Sequence, residues 1–159
     1  MYIDKYYREK AVEYAHKWAY SRNSKYYNYD KIGGDCTNFI SQCIYEGSQK
    51  MNYKKDTGWY YSNANNKASA WTGVEFLYKF LVNNKGIGPF GEEKDIYKLE
   101  IGDIIQLSFD NTVFAHSLII VENKKKILIA THTYDADYKD IDNYTYQKIR
   151  GIHIEGVRK

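Results

Sequence analysis

A chain of 159 residues is most simply one domain, because it is long enough to bury a core and too short for two sizeable ones. Hydrophobic residues make up 43% and charged residues 27%, which excludes a disordered or collagen-like chain and gives no sign of a membrane span. The net charge is +3 with the two signs interspersed, which excludes the basic face of a nucleic-acid-binding domain. We therefore expect a single domain over residues 1–159, a monomer that binds no nucleic acid.

Three amphipathic helices are predicted in the first half of the chain. Apolar residues recur at helical spacing near residues 4–22, over about 35–46, where Gly47 ends the helix, and over 73–84. The second helix turns a set of side chains towards the core: Cys36, Phe39, Ile40, Cys43 and Ile44. Residues 47–72 are polar and aromatic with little periodicity, and we interpret them as a long functional loop with short helical pieces.

The second half of the chain predicts strands. Short β-branched runs bounded by turns lie at residues 104–109, 115–121, 127–131 and 149–157. Helices first and strands afterwards predict an α+β fold, in which N-terminal helices pack on a C-terminal antiparallel β-sheet.

The N-terminus and the two cysteines leave the compartment open. The first five residues contain no apolar segment and no cleavage pattern of a secretion signal, so the protein either stays inside the cell or is a domain of a longer chain. Cys36 and Cys43 would lie about 10 Å apart along one helix, which excludes a disulfide between them. Because many exported bacterial domains also lack disulfides, the localisation stays unknown.

The most informative stretch is Gly33-Gly34-Asp35-Cys36, where a glycine-rich loop enters the second helix. Backbone N–H groups at a helix N-terminus stabilise negative charge, so we expect the pKa of Cys36 to be lowered and the residue to be a nucleophile. We expect Asp35 to cap the helix through its side chain and to support the oxyanion site, and the glycines to allow a tight entry. The alternative is a structural cysteine, because a free cysteine is often a small buried hydrophobe.

Four histidines are candidates for the base that a cysteine nucleophile requires. His16 lies among charged residues of the first helix and is interpreted as a solvated side chain. His153 lies in the last strand without a partner nearby in sequence. His116 opens one predicted strand and His132 closes the next, which makes these two the stronger candidates.

A hairpin would bring His116 and His132 together. If the two strands form a tight hairpin, Val121 faces Ile127, and counting back places His116 directly opposite His132. We then expect His116 to be the general base and imidazolium partner of Cys36, and His132 to orient it by hydrogen bonding to its second ring nitrogen. A shift of one residue in the register would break this pairing.

Other interpretations of these residues stay open. The two histidines could be unrelated surface residues at strand ends. A metal site of Cys36, His116 and His132 matches no CxxC or HExxH ligand spacing, so we expect no metal and no cofactor. The carboxylates of residues 135–142 could attract calcium, but the segment lacks the glycine and the terminal glutamate of an EF-hand loop, which favours a solvated acidic turn.

Aromatic residues are the candidates for a substrate groove. Tyr29, Trp59, Tyr60 and Trp71 could line it by stacking on a sugar or a peptide. For each tryptophan, packing in the core is an equally good interpretation. The backbone N–H of Cys36 is one expected oxyanion donor, and the sequence does not identify the second.

Several short motifs in combination resemble one family. They are Ala15-His16-Lys17-Trp18-Ala19-Tyr20, the run from Gly33 to Gln42, Gly58-Trp59-Tyr60, Gly102-Asp103, His116-Ser117 and His132-Thr133-Tyr134-Asp135. Over nearly its whole length the chain resembles the bacterial putative amidase domain family, a branch of the papain-like superfamily that includes CHAP amidases and NlpC-type cell-wall peptidases.

The resemblance implies a papain-like fold and a thiol hydrolase of amide bonds in bacterial peptidoglycan, with Cys36 as nucleophile and His116 as base. Relatives use His, Asn, Gln or Glu as the third group, and His132 is the residue chosen here by the hairpin argument. We expect an acyl-enzyme formed with a peptidoglycan or peptide substrate, and a site of action that is extracellular or in the cell wall. The alternatives are a catalytically silent wall-binding module and a secreted toxin or effector protease on the same scaffold.

Overall fold

The computed structural model describes residues 1–159. The helices are α1 (Arg8–Trp18), α2 (Cys36–Ser48), α3 (Ser69–Thr72) and α4 (Val74–Asn83). The strands are β1 (Ile3–Asp4), β2 (Tyr61–Asn63), β3 (Asn66–Lys67), β4 (Gly88–Lys94), β5 (Ile104–Ser108), β6 (His116–Glu122), β7 (Leu128–Thr131), β8 (Ala136–Asp140) and β9 (Lys148–Arg158). Short 3-10 helices cover Ile96–Lys98 and Ile141–Asn143. None of the helices has the length and apolar character needed to cross a membrane.

The main sheet has seven strands and every pairing in it is antiparallel. The strand order is β1-β9-β5-β6-β7-β8, and β4 pairs with β9 as well. The long β9 therefore joins the N-terminus, β4 and β5 into one sheet. Next to β1, Tyr2 and Lys159 exchange two backbone hydrogen bonds of 2.9 Å. The α+β fold with a mostly antiparallel sheet is confirmed.

The three predicted helices are present with different ends. α1 begins only at Arg8, because the chain before it pairs with β9 as β1. α2 continues through Gly47, contrary to the prediction, and ends where Gln49 takes a left-handed φ of 53°. A Cβ at position 47 would collide with the ring of Tyr6. Glycine is thus required at this position by packing and not by helix termination.

Three strands of the main sheet lie outside the predicted set: β1, β4 and β8. β4 contains Gly88, Pro89 and Gly91, which are typical of turns, and it pairs along one side of β9. β8 is a charged strand at the edge of the sheet. Charged side chains keep an edge strand from pairing with another chain. The predicted acidic turn over residues 135–142 is therefore wrong, because most of that segment is a strand.

The sheet has a core on each face. A cluster of 23 buried apolar residues lies on the helix side, and a smaller cluster of eight lies on the opposite side. β6 contributes to both by alternation, with Ile119 and Val121 on the helix side and Leu118 and Ile120 on the other. All the α2 side chains predicted to face the core are buried: Cys36, Phe39, Ile40, Cys43 and Ile44.

Candidate active site

The entry to α2 has the tight geometry that its glycines predict. Gly33 and Gly34 have φ values of +83° and +98°, a region that side chains with a Cβ rarely adopt. A Cβ at Gly34 would lie 3.1 Å from the hydroxyl oxygen of Thr133. The turn delivers Cys36 as the first residue of α2, with 7% of its surface exposed.

A side-chain hydrogen bond connects the start of α2 to the start of β6. Thr37 Oγ1 and Ser117 Oγ lie 2.9 Å apart in a hydrogen bond between the two elements. The sulfur of Cys36 lies 3.8 Å from Thr37 Oγ1 and also receives a backbone hydrogen bond from Ser117. Both cysteines are free thiols, as predicted.

Burial decides the protonation state of the thiol. Desolvation raises the pKa of Cys36 above its usual 9.0, and the backbone hydrogen bonds from Ser117 and Thr37 oppose this only in part. The expected lowering of the pKa of Cys36 is therefore wrong for this conformation. The thiol is protonated near neutral pH, although its sulfur lies among hydrogen-bond donors that would stabilise a thiolate.

His116 is a buried neutral imidazole at the first position of β6. Desolvation, helped by the positive charge of Lys139 on β8, lowers the pKa of His116 from 6.5 to about 4. Its ring centroid lies 6.1 Å from that of Tyr144 and 6.3 Å from that of Phe109. Because Ser117, which bonds the sulfur of Cys36, directly follows His116, the thiol and the imidazole belong to the same end of the sheet.

The expected pairing of His116 with His132 is wrong. β6 and β7 pair Ile119 with Ala130 and Ile120 with Ile129, one residue away from the predicted register. Continued past the end of β7, this register places Thr133 and not His132 opposite His116. In an antiparallel sheet a shift of one residue moves a side chain to the other face.

His132 is fully engaged elsewhere. Its Nδ1 lies 2.6 Å from Asp35 Oδ2, its Nε2 lies 2.8 Å from the backbone oxygen of Trp18, and its ring stacks on Phe39 with centroids 4.0 Å apart. Neither ring nitrogen is free to orient His116 or to bind a metal. Both partners are hydrogen-bond acceptors, and they occupy both ring nitrogens of His132.

Asp35 is the buried carboxylate partner of His132. Its Oδ1 accepts hydrogen bonds from the backbone N–H of Tyr29 and from Asn38 Nδ2, each 2.9 Å. Its side chain makes no capping hydrogen bond to α2, so that expectation is wrong. A carboxylate only accepts hydrogen bonds, and Asp35 therefore supports the loop before the nucleophile and donates nothing to an oxyanion.

Two of the four groove candidates are core residues. Trp59 and Trp71 are both fully buried, and their indole N–H groups donate to Ser41 Oγ and Asn38 Oδ1, each over 3.0 Å. Their placement in a groove is wrong, because these bonds and the packing around them fix both rings inside the helix-side core.

The two tyrosines remain candidates for the groove. Tyr60 is half-buried and its ring lies 5.2 Å from that of Tyr53. Tyr29 is 9% exposed, and its buried hydroxyl has no hydrogen-bond partner. Their contact with a substrate stays a prediction.

The other two histidines have carboxylate partners. His16 Nδ1 lies 2.8 Å from Asp137 and its ring stacks on Tyr138, so its interpretation as a solvated side chain is wrong. His153 Nδ1 lies 2.8 Å from Asp103. Asp103 is distant in sequence, so the sequence alone does not indicate this pair.

Glu100, Asp103 and His153 lie close enough together to suggest a cation site. The guanidinium of Arg8 already supplies the positive charge, with Nη1 2.7 Å from Asp103 Oδ1 and Nε 3.7 Å from Glu100. The cluster is therefore explained as a structural network.

Comparison with known proteins decides the family. Residues 5–155 match the family described as "Putative amidase domain". The chain belongs to this family. The amidase domain is also 32% identical, over 150 residues, to the uncharacterized protein YhbB of Bacillus subtilis (strain 168). The match covers 88% of this chain and 47% of YhbB, so the chain spans about half the length of that relative. No solved structure matches the amidase domain.

Family membership confirms the resemblance that the motifs predict at the level of the amidase domain. It indicates a hydrolase of amide bonds as the class of activity. Residues that the sequence argument did not identify, Thr37, Ser117 and Thr131, surround the thiol and the imidazole. Thr37 and Ser117 directly follow Cys36 and His116 in the chain, and this adjacency is the signal that could have found them.

Proposed function

We propose that the amidase domain is a cysteine-dependent amide hydrolase with a papain-like arrangement of its site, in which Cys36 is the nucleophile and His116 is the general base. One observation supports the proposal: Thr37 and Ser117, which directly follow Cys36 and His116 in the chain, join their side chains by a hydrogen bond of 2.9 Å. This bond connects the helix start that contains the thiol to the strand start that contains the imidazole.

The protonation states support a reaction that begins from a neutral pair. Burial keeps the pKa of Cys36 high and lowers the pKa of His116 to about 4, so the thiol and the imidazole are both uncharged at neutral pH. As the sulfur attacks the amide carbonyl carbon and the S–C bond forms, its proton passes to His116. A neutral base of this kind needs no preformed thiolate–imidazolium pair.

The remaining steps of the proposed reaction need only these two residues and water. The imidazolium of His116 protonates the leaving amine nitrogen as the C–N bond breaks, which leaves a thioester on Cys36. Water then attacks the thioester carbon and gives its proton to His116. The C–S bond breaks, a carboxylic acid leaves, and the proton returns to the thiolate.

The first turn of α2 supports the charge that develops on the carbonyl oxygen. The backbone N–H of Cys36 is the proposed donor, because the first N–H groups of a helix have no partner within the helix. One such donor contributes on the order of a hundredfold or more to the rate. The hydrogen bond between Asp35 and His132 helps to hold this end of α2 in place.

We propose bacterial peptidoglycan as the substrate class, on the resemblance to cell-wall peptidases described above. A wall-binding module without turnover is the second candidate, and one observation favours it. Cys36 is only 7% exposed, so the attacking atom is almost covered in this conformation.

The test is incubation of purified peptidoglycan with the protein and three variants, followed by mass spectrometry of the released fragments. We expect Cys36→Ala and His116→Ala to reduce fragment release by a factor on the order of 10⁴. Cys43→Ala is the matched control, because Cys43 is the second buried thiol of α2 and lies outside the site. It should retain activity.

The other possible results of this experiment distinguish the proposed function from its alternatives. Undiminished release by Cys36→Ala would refute the cysteine mechanism. Tight binding of wild-type protein to the wall without fragment release would favour the wall-binding module. Cleavage of protein substrates but not of peptidoglycan would favour an effector protease.

A further inference from the structure

His116 lacks the orienting group that the sequence predicts, because both ring nitrogens of His132 are engaged by Asp35 and Trp18. A different residue faces its ring. Thr131, the last residue of β7 and fully buried, places Oγ1 3.5 Å from His116 Nε2. This is the one side chain that reaches a hydrogen-bonding distance from the imidazole.

The hydroxyl proton of Thr131 is committed to backbone carbonyls. Oγ1 lies 2.8 Å from the carbonyl oxygen of Ser117 and 2.9 Å from that of His132. Carbonyl oxygens only accept, and a hydroxyl has one proton and two lone pairs. Oγ1 therefore donates to a carbonyl and turns a lone pair towards His116, which requires a proton on Nε2.

We propose that Thr131 is the positioning residue of His116: it accepts a hydrogen bond from Nε2–H and so leaves Nδ1 as the nitrogen that takes the proton of Cys36. The inference rests on the proposed function for the role of Nδ1. A single protonated nitrogen per neutral ring makes the assignment unambiguous.

This tautomer is the one that the proposed reaction requires. Nε2 faces Thr131 on β7, and Nδ1, the ring nitrogen closer to the main chain, is the nitrogen left without a proton. The distance of 3.5 Å is long for a hydrogen bond, and catalytic hydrogen bonds that are long in the free enzyme shorten in the substrate complex.

The other groups around His116 cannot replace Thr131. Lys139 faces it from β8, and its positive charge opposes ring protonation. Tyr144, which follows the second 3-10 helix, and Phe109, which follows β5, contact it through their rings. Only Thr131 offers an acceptor that distinguishes the two ring nitrogens.

The experiment compares Thr131→Val, which is nearly isosteric and lacks the hydroxyl, with Thr131→Ser, which keeps it. Proton–nitrogen correlation spectra of ¹⁵N-histidine-labelled protein at pH 7 report which ring nitrogen of His116 is protonated. We expect a single Nε2–H tautomer in the wild type and in Thr131→Ser, and a mixture in Thr131→Val. We also expect kcat to fall about tenfold in Thr131→Val with little change in KM, and Thr131→Ser to restore most of it.

An Nδ1–H tautomer in the wild-type protein would overturn the inference even if Thr131→Val failed to fold. An unchanged tautomer and an unchanged kcat in a folded Thr131→Val would overturn it as well. The spectra are recorded without substrate, so they separate the two proposals. A tautomer that depends on Thr131 in a protein without hydrolytic activity would support the positioning role and reject the proposed function.

Discussion

His116 links the chemistry of the site to the stability of the domain in acid. Its pKa is lowered from 6.5 to about 4 by burial and by Lys139, so the folded protein resists a proton that the unfolded chain accepts readily. Between these pH values the unfolded state binds more protons than the folded state. Folding stability must therefore fall as the pH falls from 6.5 to 4.

We expect this one group to lower the free energy of unfolding by about 3 kcal/mol between pH 6.5 and pH 4. His116→Asn removes the titrating group, so its free energy of unfolding should fall less over the same interval. Urea unfolding of both proteins at several pH values measures the difference. Parallel pH dependences for the two proteins would show that His116 titrates normally.

The positions of Cys36 at a helix start and of His116 at a strand start could be predicted from the sequence, and their protonation could not. Cys36 and His116 stand out because a glycine-rich loop and a strand start mark their positions. The pKa of a group depends on how much water folding removes around it. That desolvation comes from residues far away in the chain, and it reverses the direction expected for Cys36.

At the scale of elements, the turn between β7 and β8 holds two residues in a strained conformation. Thr133 and Tyr134 have φ values of 63° and 60°, a region that costs most side chains about 1–2 kcal/mol. Thr133 offsets this cost in free energy by accepting a hydrogen bond of 3.2 Å from the backbone N–H of Asp35. Tyr134 is 93% exposed, and no folded-state contact explains its aromatic ring.

We expect Tyr134→Asn to raise the free energy of unfolding by about 0.5–1 kcal/mol, because asparagine tolerates the left-handed conformation better than tyrosine. Tyr134→Ala is the control, since it removes the same ring without this tolerance, and its stability should change by less than about 0.5 kcal/mol. Thermal unfolding of the two variants gives the comparison. Equal stabilities would mean that the left-handed backbone is not under strain here.

Helices and strands with a strong periodic pattern could be predicted from the sequence, whereas the pairing between strands could not. The burial of the apolar residues of α2 follows from their spacing, whereas the burial of its polar residues, such as Asn38 and Gln42, does not. The register between β6 and β7 depends on how the turn between them is built, and an irregularity between Ile120 and Glu122 shifts it. A shift of one residue separates the expected pairing of His116 with His132 from the observed register, which places Thr133 opposite His116.

For the whole molecule, Asp103 is the charge that ties the N-terminal helix to the sheet. It accepts hydrogen bonds from Arg8 Nη1 at 2.7 Å, from His153 Nδ1 at 2.8 Å and from the backbone N–H groups of Glu100 and Ile154 at 2.9 Å. Asp103 is fully buried. Loss of its charge would leave the guanidinium of Arg8 without its main partner.

We expect Asp103→Ala to lower the free energy of unfolding by about 3–5 kcal/mol, because breaking a buried ion pair leaves an uncompensated charge. Glu100→Gln is the control, since its side chain is 59% exposed and lies 3.7 Å from Arg8. Its effect should stay within about 0.5 kcal/mol. Chemical denaturation distinguishes the two, and similar losses in both variants would argue against a central role for Asp103.

The order of helices and strands predicts the α+β class, but the three pairings of β9 have no local signature. This C-terminal strand pairs with β1, β4 and β5, so its partners come from the N-terminus and from the middle of the chain. Such long-range pairing is decided by the collapse of the whole molecule. The role of the motif Gly102-Asp103 likewise becomes clear only in the folded structure, where Arg8 and His153 lie beside Asp103.

The reciprocal bonds between Tyr2 and Lys159 bring the two chain ends side by side at one border of the sheet. A polypeptide that enters and leaves at the same point can be inserted into a surface loop of a host protein without pulling the host apart. The same closeness would let a short peptide connect the ends, so that the molecule could be reopened at another turn as a circular permutant.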